Sequence, residues 1–174
     1  MTLDASLFYV AKSFLMTSAP DMPPELWLVP TIVLGILGLT AIIDAFTKIV
    51  PDVLIFAGLV VITGLLGFFA SWDIAAQHLQ VAIAAAVAIW GVNELWYRCL
   101  HHDALGMGDA KWTLLAVTCF GIIPALFAWG GGAIIAVIFM GGMRLFRRPI
   151  KRVTFAPFLF IGLCAGLYWL KLHA

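Results

Sequence analysis

Two aspartates stand at the edges of apolar segments, in positions where carboxylates could do chemistry. Asp44 ends one apolar stretch, and Asp109, preceded by Gly106 and Gly108, opens another. A carboxylate is costly near hydrocarbon, so an ionisable residue there is a candidate functional residue. Two carboxylates that share one proton supply an acid and a base at neutral pH, and together they can activate water. This is the chemistry of an aspartyl protease.

The composition indicates an integral membrane protein with one main domain. Of the 174 residues, 64% are hydrophobic and 11% are charged, and the mean hydropathy is +1.09. These values exclude a water-soluble domain with a polar surface. The net charge of +1 gives no indication of a nucleic-acid partner. Cys99, Cys119 and Cys164 form no CxxC pair, so we interpret them as small buried residues and expect neither a zinc site nor a disulfide.

Six apolar stretches approach the roughly 20 residues that a membrane-spanning helix needs. The sequence therefore predicts an all-α membrane helix bundle over residues 26–174. Residues 1–25 are predicted to hold an interfacial amphipathic helix, at 3–16, and a proline-rich linker. We expect the fourth and fifth spans to be separated at residues 129–132, as a tight turn or a flexible break. The predicted spans are 26–44, 53–71, 78–97, 112–128, 130–146 and 154–171.

The distribution of Lys and Arg predicts the orientation of these spans. With six spans, eight of the ten basic residues fall on one side of the membrane, which the positive-inside rule makes cytoplasmic. Both termini are then outside, and Asp44, Asp52 and Asp109 share the cytoplasmic side. The eight basic residues are Lys48, Arg98, Lys111, Arg144, Arg147, Arg148, Lys151 and Arg152, and the last five also suit anionic lipid head groups.

Each aspartate also has a purely structural interpretation. Asp109 could cap the helix that follows it, and Asp44 could pair with Lys48 one turn later. Asp52 follows a proline and is expected to cap the second span. The glycines before Asp109 permit backbone torsions that are closed to other residues.

Other polar groups favour less specific roles. Glu94 and Arg98 are expected to form an ion pair at i,i+4. His101, His102 and Asp103 invite a metal interpretation, which we disfavour because no further ligand lies at helical spacing. A serine protease is also disfavoured, because the serines all lie in the N-terminal segment or at an outer loop, at Ser6, Ser13, Ser18 and Ser71.

Two other classes of function are compatible with a small membrane bundle. In a proton-coupled transporter the two aspartates would be protonation sites, and polar residues deeper in the spans would be expected. A membrane scaffold or assembly factor with no catalysis would explain the hydrophobicity, but it gives no role to two glycines beside a membrane-edge aspartate.

The sequence resembles the type IV prepilin peptidases, which are GxGD membrane aspartyl proteases. Three ordered motifs carry the resemblance. Asp44 is followed after six residues by Pro51-Asp52, Gly106-Met107-Gly108-Asp109-Ala110-Lys111 contains the GxGD string, and Phe155-Ala156-Pro157-Phe158-Leu159 begins the last span. Pro124-Ala125-Leu126 also spells a presenilin motif, which we interpret as coincidence.

The resemblance implies removal of a short basic leader from prepilins or pseudopilins at the cytoplasmic face of the bacterial inner membrane. It assigns the catalytic roles to Asp44 and Asp109 and supporting roles to Asp52 and Lys111. The remaining motif residues expected to support the site are Gly106, Gly108 and Pro157. No cofactor or metal is implied. Because no CxxC motif is present, the resemblance is to the short form found with tight-adherence (Flp-type) pili, and N-methylation is not expected.

Overall fold

A computed structural model describes residues 24–69, 71–101, 106–145 and 154–173. These residues form six α-helices and, among them, no strand, so the predicted all-α class is confirmed. The predicted interfacial helix at 3–16 lies outside the described residues. The helices are α1 Pro24–Thr47, α2 Asp52–Phe69, α3 Trp72–Leu100, α4 Met107–Phe120, α5 Ile122–Leu145 and α6 Ala156–His173.

Four of the six helices are long and apolar enough to cross a membrane. They are α1, α2, α3 and α5, and large apolar side chains such as Ile42, Val60 and Val137 point outward from them. Helix α6 contains a shorter apolar segment of 17 residues, Ala156–Leu172. Helix α4 has 14 residues, which extend about 21 Å at 1.5 Å per residue, less than the roughly 30 Å of hydrocarbon.

Helix α4 is the central helix of the bundle. It packs against all five other described helices, and ten of its 14 residues are buried. A helix surrounded on every side has no solvated face, so its apolar residues show little helical periodicity. The buried side chains include the large Trp112 and Phe120, together with the polar Asp109, Thr113 and Thr118.

The boundary between the predicted fourth and fifth spans is wrong. The chain breaks at Gly121, whose φ of 82° is a left-handed torsion that suits glycine. Pro124 follows in the first turn of α5, where its missing N–H costs no hydrogen bond. Residues 129–132 are not a turn, because they lie inside α5.

The glycines in that run serve helix packing instead. A Cβ on Gly162 of α6 would lie 2.5 Å from the Ala128 carbonyl oxygen and 2.7 Å from the Gly132 nitrogen. A Cβ on Gly132 would lie 2.9 Å from the Phe158 carbonyl oxygen. Small residues at these positions let the α5 and α6 backbones approach closely, as at many membrane helix interfaces. The position of α6 beside α5 therefore depends on residues without side chains.

Candidate active site

The C-terminal end of α1 and the N-terminal ends of α2, α4 and α6 meet at one end of the bundle. Asp44 near the end of α1 accepts a hydrogen bond from the Ala156 N–H at the start of α6. Lys111 in the first turns of α4 contacts Asp52, the first residue of α2. These contacts bring together parts of the chain that are more than 50 residues apart.

Asp44 is buried, with 6% of its surface exposed. The N-terminus of α6 faces its carboxylate through the Ala156 N–H, and helix N-termini favour negative charge. Pro157 follows Ala156 in the first turn, where a proline is tolerated. The alternative interpretation of Asp44, an ion pair with Lys48, is wrong, because among the described residues no ion pair joins the two. Lys48 instead has a φ of 58° and ends α1, and its N–H donates to the Asp44 carbonyl oxygen at 2.8 Å.

Asp109 is equally buried, also with 6% exposure, and it caps α4. Its Oδ2 accepts a hydrogen bond from the Gly106 N–H at 3.0 Å, and its own N–H donates to the Gly106 carbonyl oxygen at 3.0 Å. The capping interpretation is therefore confirmed. It does not exclude chemistry, because this cap uses only one of the two carboxylate oxygens.

The two carboxylates are close enough to influence each other. Burial raises the pKa of Asp109 to about 6, the Gly106 N–H opposes that rise, and the charge of Asp44 adds to it. The first turn of α4 lies outside the four helices that are long and apolar enough to cross a membrane. A carboxyl group with this pKa holds its proton for part of the time near neutral pH, which suits an acid–base role.

The two glycines before Asp109 do not use the positive torsions that glycine permits. Gly106 has a φ of −77°, and Gly108 is not among the described residues of positive φ. The requirement at Gly108 is space: a Cβ there would lie 2.7 Å from Cγ2 of Val50. The absent side chain lets the connection between α1 and α2 approach the turn that carries Asp109.

An ion pair joins two of the motifs. Lys111 Nζ lies 2.7 Å from Asp52 Oδ1, and the side chains are 30% and 56% exposed. Asp52 begins α2, as expected of a capping residue, but its side chain also reaches across to α4. Sequence reasoning missed this pair because 59 residues separate its members.

A second set of contacts near the aspartates was also missed. Trp129 of α5 donates its indole N–H to the Thr113 hydroxyl at 3.0 Å, and that hydroxyl donates to the Asp109 carbonyl oxygen at 2.7 Å. The Trp129 ring also packs against Phe155, with centroids 5.3 Å apart. The available signal is a tryptophan among glycines in an apolar segment, at the residues predicted to form a tight turn or a flexible break.

The other polar candidates have mixed outcomes. The Glu94–Arg98 ion pair is confirmed at 2.8 Å. His102 and Asp103 lie outside the described residues, and so do all of the five basic residues from Arg144 to Arg152 except Arg144 itself. Within the described ranges, no three His, Cys, Asp or Glu residues form a possible metal site. Cys119 is buried, whereas Cys99 and Cys164 are exposed, which corrects the expectation that all three are buried.

One further buried polar residue lies away from the aspartates. His78 of α3 is 1% exposed, and its Nδ1 lies 3.1 Å from the Thr118 carbonyl oxygen of α4. It lies near the start of α3 and opposite the last turns of α4, far along both helices from the aspartates.

Comparisons with protein-family models, curated proteins and solved structures give no match for this chain.

Proposed function

We propose that this protein is a membrane aspartyl endopeptidase of the prepilin-peptidase type, with Asp44 and Asp109 as its catalytic pair. One observation carries the proposal: two buried carboxylates on separate helices lie in electrostatic reach of each other at one end of an apolar bundle. Burying two carboxylates is costly, and such pairs are concentrated at sites of acid–base chemistry.

The proposed reaction is peptide hydrolysis with water as the nucleophile. One carboxylate removes a proton from water while the other, protonated, donates its proton to the scissile carbonyl oxygen, giving a tetrahedral intermediate. The first residue then transfers its proton to the nitrogen, the C–N bond breaks, and the second recovers a proton from the hydroxyl group. The products are a carboxylic acid and an amine. The pair titrates as a unit, so either residue can begin as the acid.

The proposed substrate is a prepilin or pseudopilin, in which a short basic leader precedes an apolar helix. The motif resemblance supports this substrate class. The distribution of Lys and Arg supports an active site on the cytoplasmic face of the bacterial inner membrane, with six spans and both termini outside. The substrate helix would enter from the bilayer, where the bundle presents exposed apolar side chains.

Proton-coupled transport is the second candidate, and buried His78 favours it. An ionisable residue inside a membrane helix is a functional-site hypothesis by default. The hydroxyls of Thr113 and Thr118 support it less well, because each donates to a carbonyl of its own helix. Proton uptake by proteoliposomes, measured with a pH-sensitive dye, would distinguish transport from hydrolysis.

The decisive test is cleavage of a prepilin-like peptide by the purified protein in detergent. We expect Asp44→Asn and Asp109→Asn to lower kcat by about 10²-fold or more, because each removes an acid–base group. The matched control is Asp73→Asn, an exposed aspartate in the first turn of α3, which should retain parental activity. Parental cleavage by either active-site variant would contradict the assignment, and no cleavage by the parent with several leader sequences would favour transport or a scaffold.

A further inference from the structure

The turn that carries Asp109 is connected to α5 by a directed chain of hydrogen bonds. The Thr113 hydroxyl donates its only proton to the Asp109 carbonyl oxygen at 2.7 Å, so its lone pairs are left to accept. Trp129 supplies the donor, with its indole nitrogen 3.0 Å from that hydroxyl. Thr113 is 2% exposed, so this contact is shielded from water. Hydrogen bonds are stronger in the protein interior than in water, because the dielectric constant is lower there.

The ring of the same tryptophan contacts the side chain of Phe155, the residue before Ala156. The two ring centroids are 5.3 Å apart, with an interplanar angle of 50°. The Phe155 carbonyl oxygen accepts the N–H groups of Phe158 and Leu159, so Phe155 fixes the first turn of α6. The next residue, Ala156, donates to the Asp44 carboxylate.

We propose that Trp129 is a positioning residue that sets the relative placement of the Asp44 and Asp109 carboxylates, acting through Phe155 on one side and Thr113 on the other. Ala156 of α6 contacts the Asp44 carboxylate, and Thr113 of α4 contacts the backbone carbonyl of Asp109. Trp129 on α5 touches Thr113 and also Phe155, the residue before Ala156. This inference rests on the proposed function for its catalytic consequence, but the placement of the two carboxylates can be measured without any substrate.

The catalytic consequence follows from geometry. A proton-sharing pair works only when the two carboxyl groups and the water between them are aligned, and displacements of about 1 Å can cost about 10²-fold in rate. A residue that only positions the pair should affect kcat and leave substrate binding intact. A residue that only fills the core should affect stability and leave kcat and the pKa of Asp109 unchanged.

Four variants separate positioning from packing. Trp129→Phe keeps a ring beside Phe155 and removes the indole N–H, whereas Thr113→Val removes the hydroxyl at similar shape. Thr113→Ser restores the hydroxyl and should retain activity. Trp169→Phe is the matched control, because Trp169 makes a comparable ring contact between α6 and α5, with Phe127 at 5.2 Å. It lies 13 residues beyond Ala156, about 20 Å along the helix.

Two measurements test the proposal. In peptide cleavage, Trp129→Phe and Thr113→Val should each lower kcat about tenfold or more, with KM within about twofold of the parent. Their double variant should be no slower than the slower single variant, because both act through one hydrogen bond. Parental kcat in Trp129→Phe, or multiplying effects in the double variant, would overturn the proposal.

The second measurement is infrared titration of the Asp109 carboxyl band, identified by subtracting the Asp109→Asn spectrum. In Trp129→Phe the pKa of Asp109 should fall from about 6 toward the ordinary 3.8, because a displaced turn is better hydrated and farther from Asp44. Thr113→Ser and Trp169→Phe should titrate like the parent. If the parent cleaves no peptide, the proposed function fails, and the titration alone decides: an unchanged Asp109 titration in Trp129→Phe would overturn the positioning role.

Discussion

The bundle is held together differently at its aspartate end and at the contact of α5 with α6. At the aspartate end, polar contacts connect the helices: Asp44 to α6, Lys111 to α2 and Trp129 to α4. At the contact of α5 with α6, glycines let two backbones touch without any side chain between them. Directed bonds fix the positions of reacting groups, whereas close backbone packing fixes the positions of whole helices. Substitutions should therefore affect chemistry in the first place and stability in the second.

The largest expected effect belongs to the aspartate end. Asp109→Asn should lower kcat/KM by about 10²- to 10⁴-fold, the usual contribution of acid–base catalysis. Its thermal midpoint should not fall, because a buried carboxylate costs free energy that the amide avoids. Peptide cleavage and thermal unfolding of the same preparation measure both. A variant that lost activity and also stability would indicate that Asp109 only supports the fold.

At the contact of α5 with α6, a substitution should lower stability. Gly132→Ala places a Cβ 2.9 Å from the Phe158 carbonyl oxygen and should destabilise the protein by about 1–3 kcal/mol, as overpacking does. This corresponds to a loss of roughly 2–12 °C in Tm for a chain of this size. Thermal unfolding in detergent is the measurement.

A neighbour on the same helix supplies the control. Gly130 has nothing within 4 Å of an added Cβ, so Gly130→Ala should be neutral or stabilising by up to about 1 kcal/mol. Equal destabilisation by both alanines would contradict a packing role specific to Gly132.

The pH dependence of stability should depend on the buried carboxyl group. The folded state raises the pKa of Asp109 from 3.8 to about 6, so between these values the folded chain binds more protons than the unfolded chain. Its contribution to stability is then full below about pH 3.8 and is lost as the pH rises through about 6. Apparent Tm, measured from pH 4 to 7, should show this loss in the parent and a smaller one in Asp109→Asn. Identical profiles would show that Asp109 titrates normally.

The smallest expected effect belongs to the ion pair between Asp52 and Lys111. With side chains 56% and 30% exposed, the pair is screened by solvent, and its loss should cost about 0.2–1 kcal/mol. We expect Asp52→Asn to lower kcat/KM only a few-fold. The reversed pair, with Asp52→Lys and Lys111→Asp together, should recover more activity than either single reversal. No recovery would show that one of the two has a role beyond the pair.

The sequence predicted the polar candidates better than the contacts between them. Asp44 and Asp109 were identified because a carboxylate beside hydrocarbon needs an explanation, wherever it lies in the chain. The Ala156 N–H and the Trp129 indole could not be identified in the same way. The Ala156 N–H contacts Asp44, 112 positions away, and the Trp129 indole contacts Thr113, 16 positions away, which in turn contacts Asp109.

The glycines illustrate why local reasoning failed. A run such as Trp129-Gly130-Gly131-Gly132 is typical of a break, because glycine is a poor helix former. The packing of α5 against α6 overrides that preference, since only a glycine fits where the two backbones meet. The actual break at Gly121 is a single residue, and its neighbours Phe120 and Ile122 are as apolar as those of a continuous helix.

The sequence by itself determined the apolar helical class and singled out the two carboxylates, because these follow from composition, segment length and the cost of charge near hydrocarbon. Only the tertiary structure decided which helix lies at the centre, where α4 ends, which glycines carry close contacts and which residues hold the aspartates. Those properties depend on distances between segments far apart in the chain, and a linear pattern does not contain them until the helices pack.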